Sequence, residues 1–587
     1  MRKIRFALGV CAFALYMFAA NDYAKADEVY DVTKFGANGS DKSNDREAIQ
    51  ECLKLGNTSE VITVKIPSGT YYIDSDLKIY GNTVLELAED AIIVAEKNMN
   101  HMLYNPSNSI DAPITISGGV WEADKTVDKS SIISIKNCSD LTVKNLTIND
   151  NGGYGILVQN CNVDITGCKV NNSYGNAIGV HKGKASISDC KVNNVIYEKA
   201  NGYYLNGCTK AEIKKCKVSK AGYDGVIANT VKSLTITDCE ISYVENCGIT
   251  TSKCTNVTVQ NNIVSNQDRD AIWMENPSVS TILIDNNLVG PSKEGTKMSS
   301  GIVVFGGGKI KVSNNEVNDI YHNAIYAKES NDVTIESNTI KKTGKNGICV
   351  LKIEGTIYKN DISSTKASGI TMNSTTGVKV VSNKFTNIGD MGVYAYKGSN
   401  TSYIGNTLNN IKGHGLDVFS TKNAVIKKNS VKKSKKMGIY AKNVTGLKIM
   451  NNDVVDTATR PIRATECSGT ITKNVCRYGN DGTPIIGEGM KISSNKQFKG
   501  TPSFTKVTKR NTNATLKWKK AEGVTGYQIY ARVGNAGKWK KIKTVSGANV
   551  RTIKCTKLKS GKKHKFKIRA YIKGNTGTIY TDFSKVK

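Results

Sequence analysis

A small residue followed by an aliphatic or aromatic one returns along most of this chain at nearly constant intervals. Gly155 in YGILV, Gly225 in DGVIA, Gly248 in CGITT, Gly347 in NGICV, Gly392 in MGVYA and Gly438 in MGIYA are examples. Successive markers lie 22–25 residues apart, with one interval of 30 from Ala271 to Gly301. A second series keeps step with it: Asn145, then Cys168, Cys190, Cys216 and Cys239, then Asn262, Asn287, Asn315 and onward to Asn495. A period of this length is the mark of a repeat architecture. Each period holds three short alternating runs rich in Val, Ile, Thr and Tyr, split by Gly, Asn, Ser and Lys. Such runs are too short for helices and favour strands. One unit cannot bury its apolar side chains alone, but stacked copies share a continuous core, each coil about 4.8 Å above the last. The expected fold is therefore all-β, a parallel β-helix of about 23 residues per coil with an Asn/Cys ladder at one turn.

The ends of the chain read differently. Arg2, Lys3 and Arg5 precede an apolar run, Phe6–Ala20, and the small residues Ala24 and Ala26, so 1–26 is expected to be a secretory signal peptide and the mature protein to be secreted. No second long apolar run follows. The β-helix is expected over 27–500, with 27–125 as its cap and first coils. Within that cap, residues 43–56 read as one short amphipathic helix, with Ser43 or Asn44 as N-cap and Gly56 at its end. Residues 501–587 carry alternating strands in ATLKWKK, GYQIYARV and KFKIRAY, which predict a small β-sandwich. They hold 23 Lys/Arg against 2 Asp/Glu, so most of the net charge of +32 belongs to this last unit. Binding of an anionic cell-wall polymer through this basic domain is expected, whereas a nucleic-acid partner is disfavoured by the export signal. Fifteen cysteines in an exported chain would ordinarily mean disulfides. Four of them fall where other coils carry Asn, and small buried fillers explain them better.

The stretch YDVTKFGANGSDKSNDREAIQ followed by VKIPSGTYYI resembles the opening of the pectate lyase and polygalacturonase superfamily. That resemblance covers roughly 29–500 and implies a right-handed parallel β-helix and an acidic polysaccharide, for example a polyuronate, as partner. With Trp518 in an early strand, Tyr527 in the next and Leu558 ahead of KFKIRAY, the last domain resembles a fibronectin type III domain. His564 stands where that family has the tyrosine of its corner.

In a β-helix, stacking sets side chains from different coils next to one another, so candidate sites are read down columns. Gly413-His414-Gly415 matches a polygalacturonase signature. His414 lies eight coils beyond Asp224, about 38 Å away, whereas an inverting carboxyl pair spans only about 6.5–9.5 Å. His414 is therefore expected to be a structural residue. The expected site lies lower: Asp224, Asp270, Glu275 and Lys328 as catalytic groups, with Tyr204, Asp268, Arg269, Trp273 and Tyr326 binding substrate under the 30-residue coil that contains GPSKEGTKMSS. No cofactor is expected. Asp268, Asp270 and Glu275 could hold Ca²⁺ through oxygen ligands, although no loop has a recognised calcium spacing. Two functions remain open at this point. One is a secreted hydrolase, lyase or epimerase acting on an acidic glycan; the other is a non-catalytic surface, adhesion or carbohydrate-binding protein built on the same scaffold.

Overall fold

The computed structural model describes residues 28–107, 111–123, 131–277, 279–296 and 298–587. The expected signal peptide lies outside them. Among the described residues, no helix is long and apolar enough to cross a membrane.

From Glu28 to Phe498 the chain winds as a parallel β-solenoid. Each coil contributes three short strands, such as Ile249–Ser252, Asn256–Gln260 and Ile263–Ser265, and each pairs in parallel with its counterpart one coil away. Pairing is in register over long runs: Ile249 sits opposite Ile272, and Thr250 opposite Trp273. In some coils the first two strands merge into one, as in Ile156–Thr166 and Ile348–Tyr358. Inward residues are Val, Ile, Leu and Ala, fully buried in one continuous core from Val32 to Ile485. Outward ones are half-exposed, which is the period-two alternation expected of strands with one dry face.

At the turn after the second strand the asparagines form a continuous ladder. Asn338 Oδ1 accepts both the backbone N–H and the Nδ2 of Asn315, at 2.9 and 3.0 Å. Its own Nδ2 donates to Asn360 Oδ1 and to the carbonyl of Val312, each at 2.9 Å. The pattern repeats from Asn262 to Asn495. The residue just before each ladder position is left-handed, including non-glycines such as Lys359 (φ 54°) and Lys428 (φ 56°). That conformation costs a non-glycine roughly 1–2 kcal/mol, and the ladder holds it in place. The cysteines fill the same slot. Cys239 Sγ donates to Ile213 O as Asn262 Nδ2 donates to Ile236 O. All four are free and buried. Asn145 is not a rung: Thr147 pairs with Lys169, which puts Leu146 opposite Cys168 and Asn145 one residue outside.

The N-terminal helix runs Arg46–Lys54 and buries Ile49, Gln50, Cys52 and Leu53. Its N-cap position is Asp45, not Ser43 or Asn44, but the Asp45 carboxylate accepts the N–H groups of Asn38 and Tyr72 and makes no cap, while Asn44 Oδ1 accepts the N–H of Arg46 at 3.1 Å. Residues 503–580 form two small antiparallel sheets. Three strands, Ser503–Arg510, Asn513–Lys519 and Thr552–Cys555, make one; Gly526–Val533, Lys540–Ser546, His564–Lys573 and Thr578–Tyr580 make the other. Trp518, Tyr527, Phe566 and Ile568 fill the space between them, and Val455, Val475 and Phe498 of the solenoid join the same apolar cluster. His564 is buried, and its Nε2 accepts the N–H of Lys559 at 3.3 Å.

Candidate functional site

The outward residues of the first strand column form a continuous face of the solenoid. Tyr204, Ile227, Thr250, Trp273, Val303 and Tyr326 follow one another in register, and Glu275, Phe305 and Lys328 run beside the last of them. Trp273 meets Phe305 edge-on at 4.8 Å, Phe305 meets Tyr326 at 5.5 Å, and the Lys328 amine lies 5.6 Å over the Phe305 ring. Three of the expected residues are thus brought together, with Phe305 as the piece that joins them. Glu275 is exposed beside them. Tyr204 lies three coils away and packs against His181 at 5.1 Å, which in turn meets Tyr154.

Asp268 and Arg269 sit at the corner before this strand. Lys293, from the 30-residue coil, bridges Asp268 and Glu245 at 3.3 and 2.8 Å. The same coil is pinned at its base by a Ser292–Ser299 hydroxyl contact of 2.7 Å. Among the described residues no three His, Cys, Asp or Glu side chains gather as a metal site, so Asp268, Asp270 and Glu275 do not form the oxygen cage that Ca²⁺ takes.

Asp224 and Asp270 do not stand out in the groove. Both are buried, and both belong to a second ladder at the turn just before the marker residue. In this ladder a side-chain acceptor takes the N–H of the equivalent residue one coil on: Asn176 from Asn201, Asn201 from Asp224, Asp224 from Cys247, Asp270 from Ser300, Asn323 from Asn346 and Asn346 from Ser368. Asp224 also accepts Asn246 Nδ2 at 2.7 Å. Burial pushes both carboxyls up from the usual range, against the hydrogen bonds they accept. Cys247 stands between them in the column, and Arg269 is near enough to favour the charged form of each.

The same ladder explains His414. Its Nδ1 accepts the N–H of Met437 at 3.2 Å, and its ring stacks on Tyr440, 5.0 Å away at 27°. Burial, then Lys436, holds the imidazole down at about 4. It is neutral at physiological pH, with its proton on Nε2.

Next to it lies a residue that the sequence reading passed over. Asp417 stands between Tyr394 and Tyr440 in adjacent coils, opposite both in register. It is only 7% exposed, yet its carboxyl takes part in no hydrogen bond or ion pair among the described residues. Burial pushes it up to about 7, the negative charge of Asp390 adds to the rise, and Lys436 opposes it. Asp390, Gly413 and Lys436 stack in successive coils, since Gly413 N–H donates to Asp390 O and Lys436 N–H to Gly413 O. The Asp390 carboxylate lies against the Gly413 α-carbon, where an added Cβ would come within 2.8 Å of Oδ1. Tyr396 and Phe419 continue the face as stacked rings 5.5 Å apart. Asp417 was visible in the sequence as the one acid two residues past a marker in the later coils; nothing there disclosed its burial.

A buried carboxylic acid that holds its proton near neutrality, beside a carboxylate, a neutral imidazole and a lysine, is equipped to donate a proton. The flanking rings suit sugar faces, and Lys436 suits an acidic group on them.

No curated protein matches the chain. Distant likenesses to solved structures include the tailspike protein 3 of bacteriophage CBA120, at 12% identity over 63% of this chain and 61% of that one, with a TM-score of 0.43. A family 28 exopolygalacturonase of Yersinia enterocolitica aligns at 11% identity over 64% of this chain and 78% of its own, with a TM-score of 0.35. An iota-carrageenase complexed to iota-carrageenan fragments aligns at 18% over 43% and 57%, with a TM-score of 0.28. The alignments with the tailspike and the carrageenase span less than two thirds of either, and likenesses this distant carry nothing about what this chain acts upon. Residues 29–101 match the family model described as rhamnogalacturonase A/epimerase, pectate lyase-like. The model of the right-handed β-helix region matches 131–195, 181–299, 300–443 and 368–517, which together are well over half of the sequence. With the parallel coils and their two side-chain ladders, this match means that the chain belongs to the right-handed β-helix family.

Proposed function

We propose that this chain is a secreted, polysaccharide-active enzyme that takes an acidic glycan along the outer face of its first strand column, with Asp417 as the acid that protonates the leaving oxygen. The observation that carries this reading is the Asp417 carboxyl, buried between Tyr394 and Tyr440 without a protein partner. Its oxygens are not sealed in the core and no group of the fold engages them among the described residues, so the acid is free to meet a ligand. Asp224 and Asp270, by contrast, are engaged in holding one coil to the next, so they are weaker candidates for the chemistry than for the scaffold. Trp273, Phe305, Tyr326 and Lys328 then serve as a binding platform further down the same face, reached by a polymer and not by a single sugar.

Asp417 donates its proton to the glycosidic oxygen as the C–O bond breaks, and water supplies the oxygen of the new bond and returns the proton. Lys436 and Arg463, the residue opposite Tyr440 one coil on, are cations placed to meet an acid group of the sugar. A second reading, a non-catalytic glycan-binding face, is favoured by the same commitment of Asp224 and Asp270 to structure.

The deciding experiment is incubation of the purified protein with a panel of polyuronates and neutral glycans, with both reducing ends and unsaturated products measured. Product that disappears in Asp417→Asn supports the enzyme. Binding with no product from any glycan leaves the non-catalytic reading standing, and full activity of Asp417→Asn overturns the assignment of the acid.

A further inference from the structure

The C-terminal domain carries a feature that its sheet geometry makes and its charge alone would not. Along Gly526–Val533 and His564–Lys573 the inward residues fill the core, and the outward ones are cations and rings. Lys567 pairs across from Tyr530 and Arg569 across from Gln528. The Lys567 amine lies 3.9 Å from the Phe583 ring centre and 4.6 Å from that of Trp539. The Arg569 guanidinium lies 3.7 Å over Tyr580 and 5.0 Å from Phe583, and Arg532 lies 4.8 Å over Trp539. Gln528 Oε1 accepts Nε and Nη2 of Arg569 at 3.0 and 2.8 Å, which fixes the plane of the guanidinium. Nη2 also donates to Tyr530 Oη at 3.0 Å, and among the described residues Nη1 has no hydrogen bond to a protein acceptor.

Three cations are therefore packed together with no acidic side chain among them. The acidic side chains of the domain are Glu522 and Asp582. Asp582 turns away to Arg477 at 3.5 Å, and Glu522 is tied through its backbone to Lys499. Ring faces attract cations, but they do not cancel like-charge repulsion. Lys567 records that repulsion: burial, then Arg532 and Arg569, pulls its ammonium below the ordinary lysine range. An arrangement of this kind attracts an anion. Because the charges sit among aromatic rings and one guanidinium edge is open, a carboxylate carried on a ring-shaped unit fits better than a bare ion.

We propose that this face of the four-stranded sheet is a binding site for the acidic groups of an anionic polysaccharide, built by Arg532, Lys567 and Arg569 among Trp539, Tyr580 and Phe583. It is a targeting site, separate from the acid at Asp417, and it stands or falls without it.

The test measures binding of the full chain to immobilised polygalacturonate, with long-chain inorganic polyphosphate and neutral dextran as the other arms. Lys567→Ser with Arg569→Gln is compared with Lys554→Ser with Lys562→Ser, an equal loss of charge on exposed positions of the same domain. Loss of about tenfold in affinity for polygalacturonate in the first pair, against less than about threefold in the second, supports the site. Trp539→Ala should weaken polygalacturonate binding and leave polyphosphate binding unchanged. Equal losses in the two charge pairs mean diffuse attraction only and overturn the proposal, as does retention on dextran equal to that on polygalacturonate. If the first pair lowers the melting temperature, Arg532→Gln at the edge of the stack replaces it, with the same loss expected and an unchanged affinity counting against the site. Turnover of a short soluble glycan, measured on the same C-terminal variants, reports on the solenoid face alone and so separates failure here from failure of the enzymatic reading.

Discussion

The imidazole of His414 lies over the ring of Tyr440 in the next coil, centres 5.0 Å apart, while its Nδ1 takes the Met437 N–H. This pair gives the Gly-His-Gly segment a structural part in this chain. His414 occupies the acceptor slot that Asn346 and Asp270 fill elsewhere in the same ladder, so it holds two coils together. His414→Ala leaves the Met437 N–H without a partner and should cost about 1–3 kcal/mol, visible as a lower denaturation midpoint. Activity per folded molecule should fall by less than about tenfold, far short of the effect of removing an acid that contributes about 10²–10⁴. A larger loss of turnover with unchanged stability would make His414 the reacting group.

Asp417 gives a prediction in pH. Its carboxyl ionises near 7 in the folded chain and in the ordinary carboxylate range when unfolded. The folded form therefore holds the proton more tightly, and the protein loses stability as pH rises from about 4 to about 7. The difference amounts to as much as about 4 kcal/mol at 1.36 kcal/mol per unit. Asp417→Asn, which cannot ionise, should be more stable than the parent at pH 8 and equal to it near pH 4, as measured by chemical denaturation at both. Turnover should fall away above about pH 7 as the proton donor is lost. A parent and variant with parallel stability profiles would mean that the carboxyl is not held protonated.

Most of the scaffold was legible in the sequence because the period of the markers and the Asn and Cys positions are direct readouts of stacking. Asn338 is a rung because a buried amide must find partners, and an identical amide one coil away supplies them. The columns of outward residues were legible too, since register follows from the repeat: Trp273 and Tyr326 are two coils apart in one column, as expected. Burial at the corner before each strand was not legible. Asp224 and Asp270 read as groove residues by position. Only the three-dimensional turn shows that the side chain there bends back to the next coil's N–H. Phe305 and Asp417 were in the columns as well, but their contacts depend on ring tilt and on what covers them, and no periodicity encodes either. Asn145 misled because a left-handed turn residue and a ladder residue are adjacent and share a preference for Asn.

The ladder itself can be broken at one level. Asn338→Leu removes the acceptor for two donors of Asn315 and the donor to Asn360 and Val312. Each orphaned group costs about 1–3 kcal/mol. The expected result is a clear drop in the unfolding midpoint. Asn338→Cys should lose less, because a thiol fills this slot in earlier coils. Equal stability of Asn338→Leu and the parent would mean that the rung bears no load.

The last prediction concerns how the basic domain is attached. Asp453, buried in the solenoid, accepts the N–H of Asn575 at 2.8 Å, the N–H of Thr576 at 2.7 Å and the Thr576 hydroxyl at 2.6 Å, all from one loop of the C-terminal domain. Gly574 opens that loop, and a Cβ there would come within 2.5 Å of Asp453 Oδ2. The carboxylate thus acts as the clasp, while Val455, Val475 and Phe498 share an apolar cluster with Trp518 and Phe566 behind it. Hydrogen bonds to a charged group are worth about 1.5–3 kcal/mol each, so loss of this clasp should let the two parts unfold separately. Asp453→Ala and Gly574→Ala should each split one thermal transition into two and open the chain near residue 500 to limited proteolysis. The stack of Lys567 and Arg569 lies elsewhere on the domain, so polygalacturonate binding should survive in both variants. A single unchanged transition in Gly574→Ala would show that the apolar cluster alone holds the domains together.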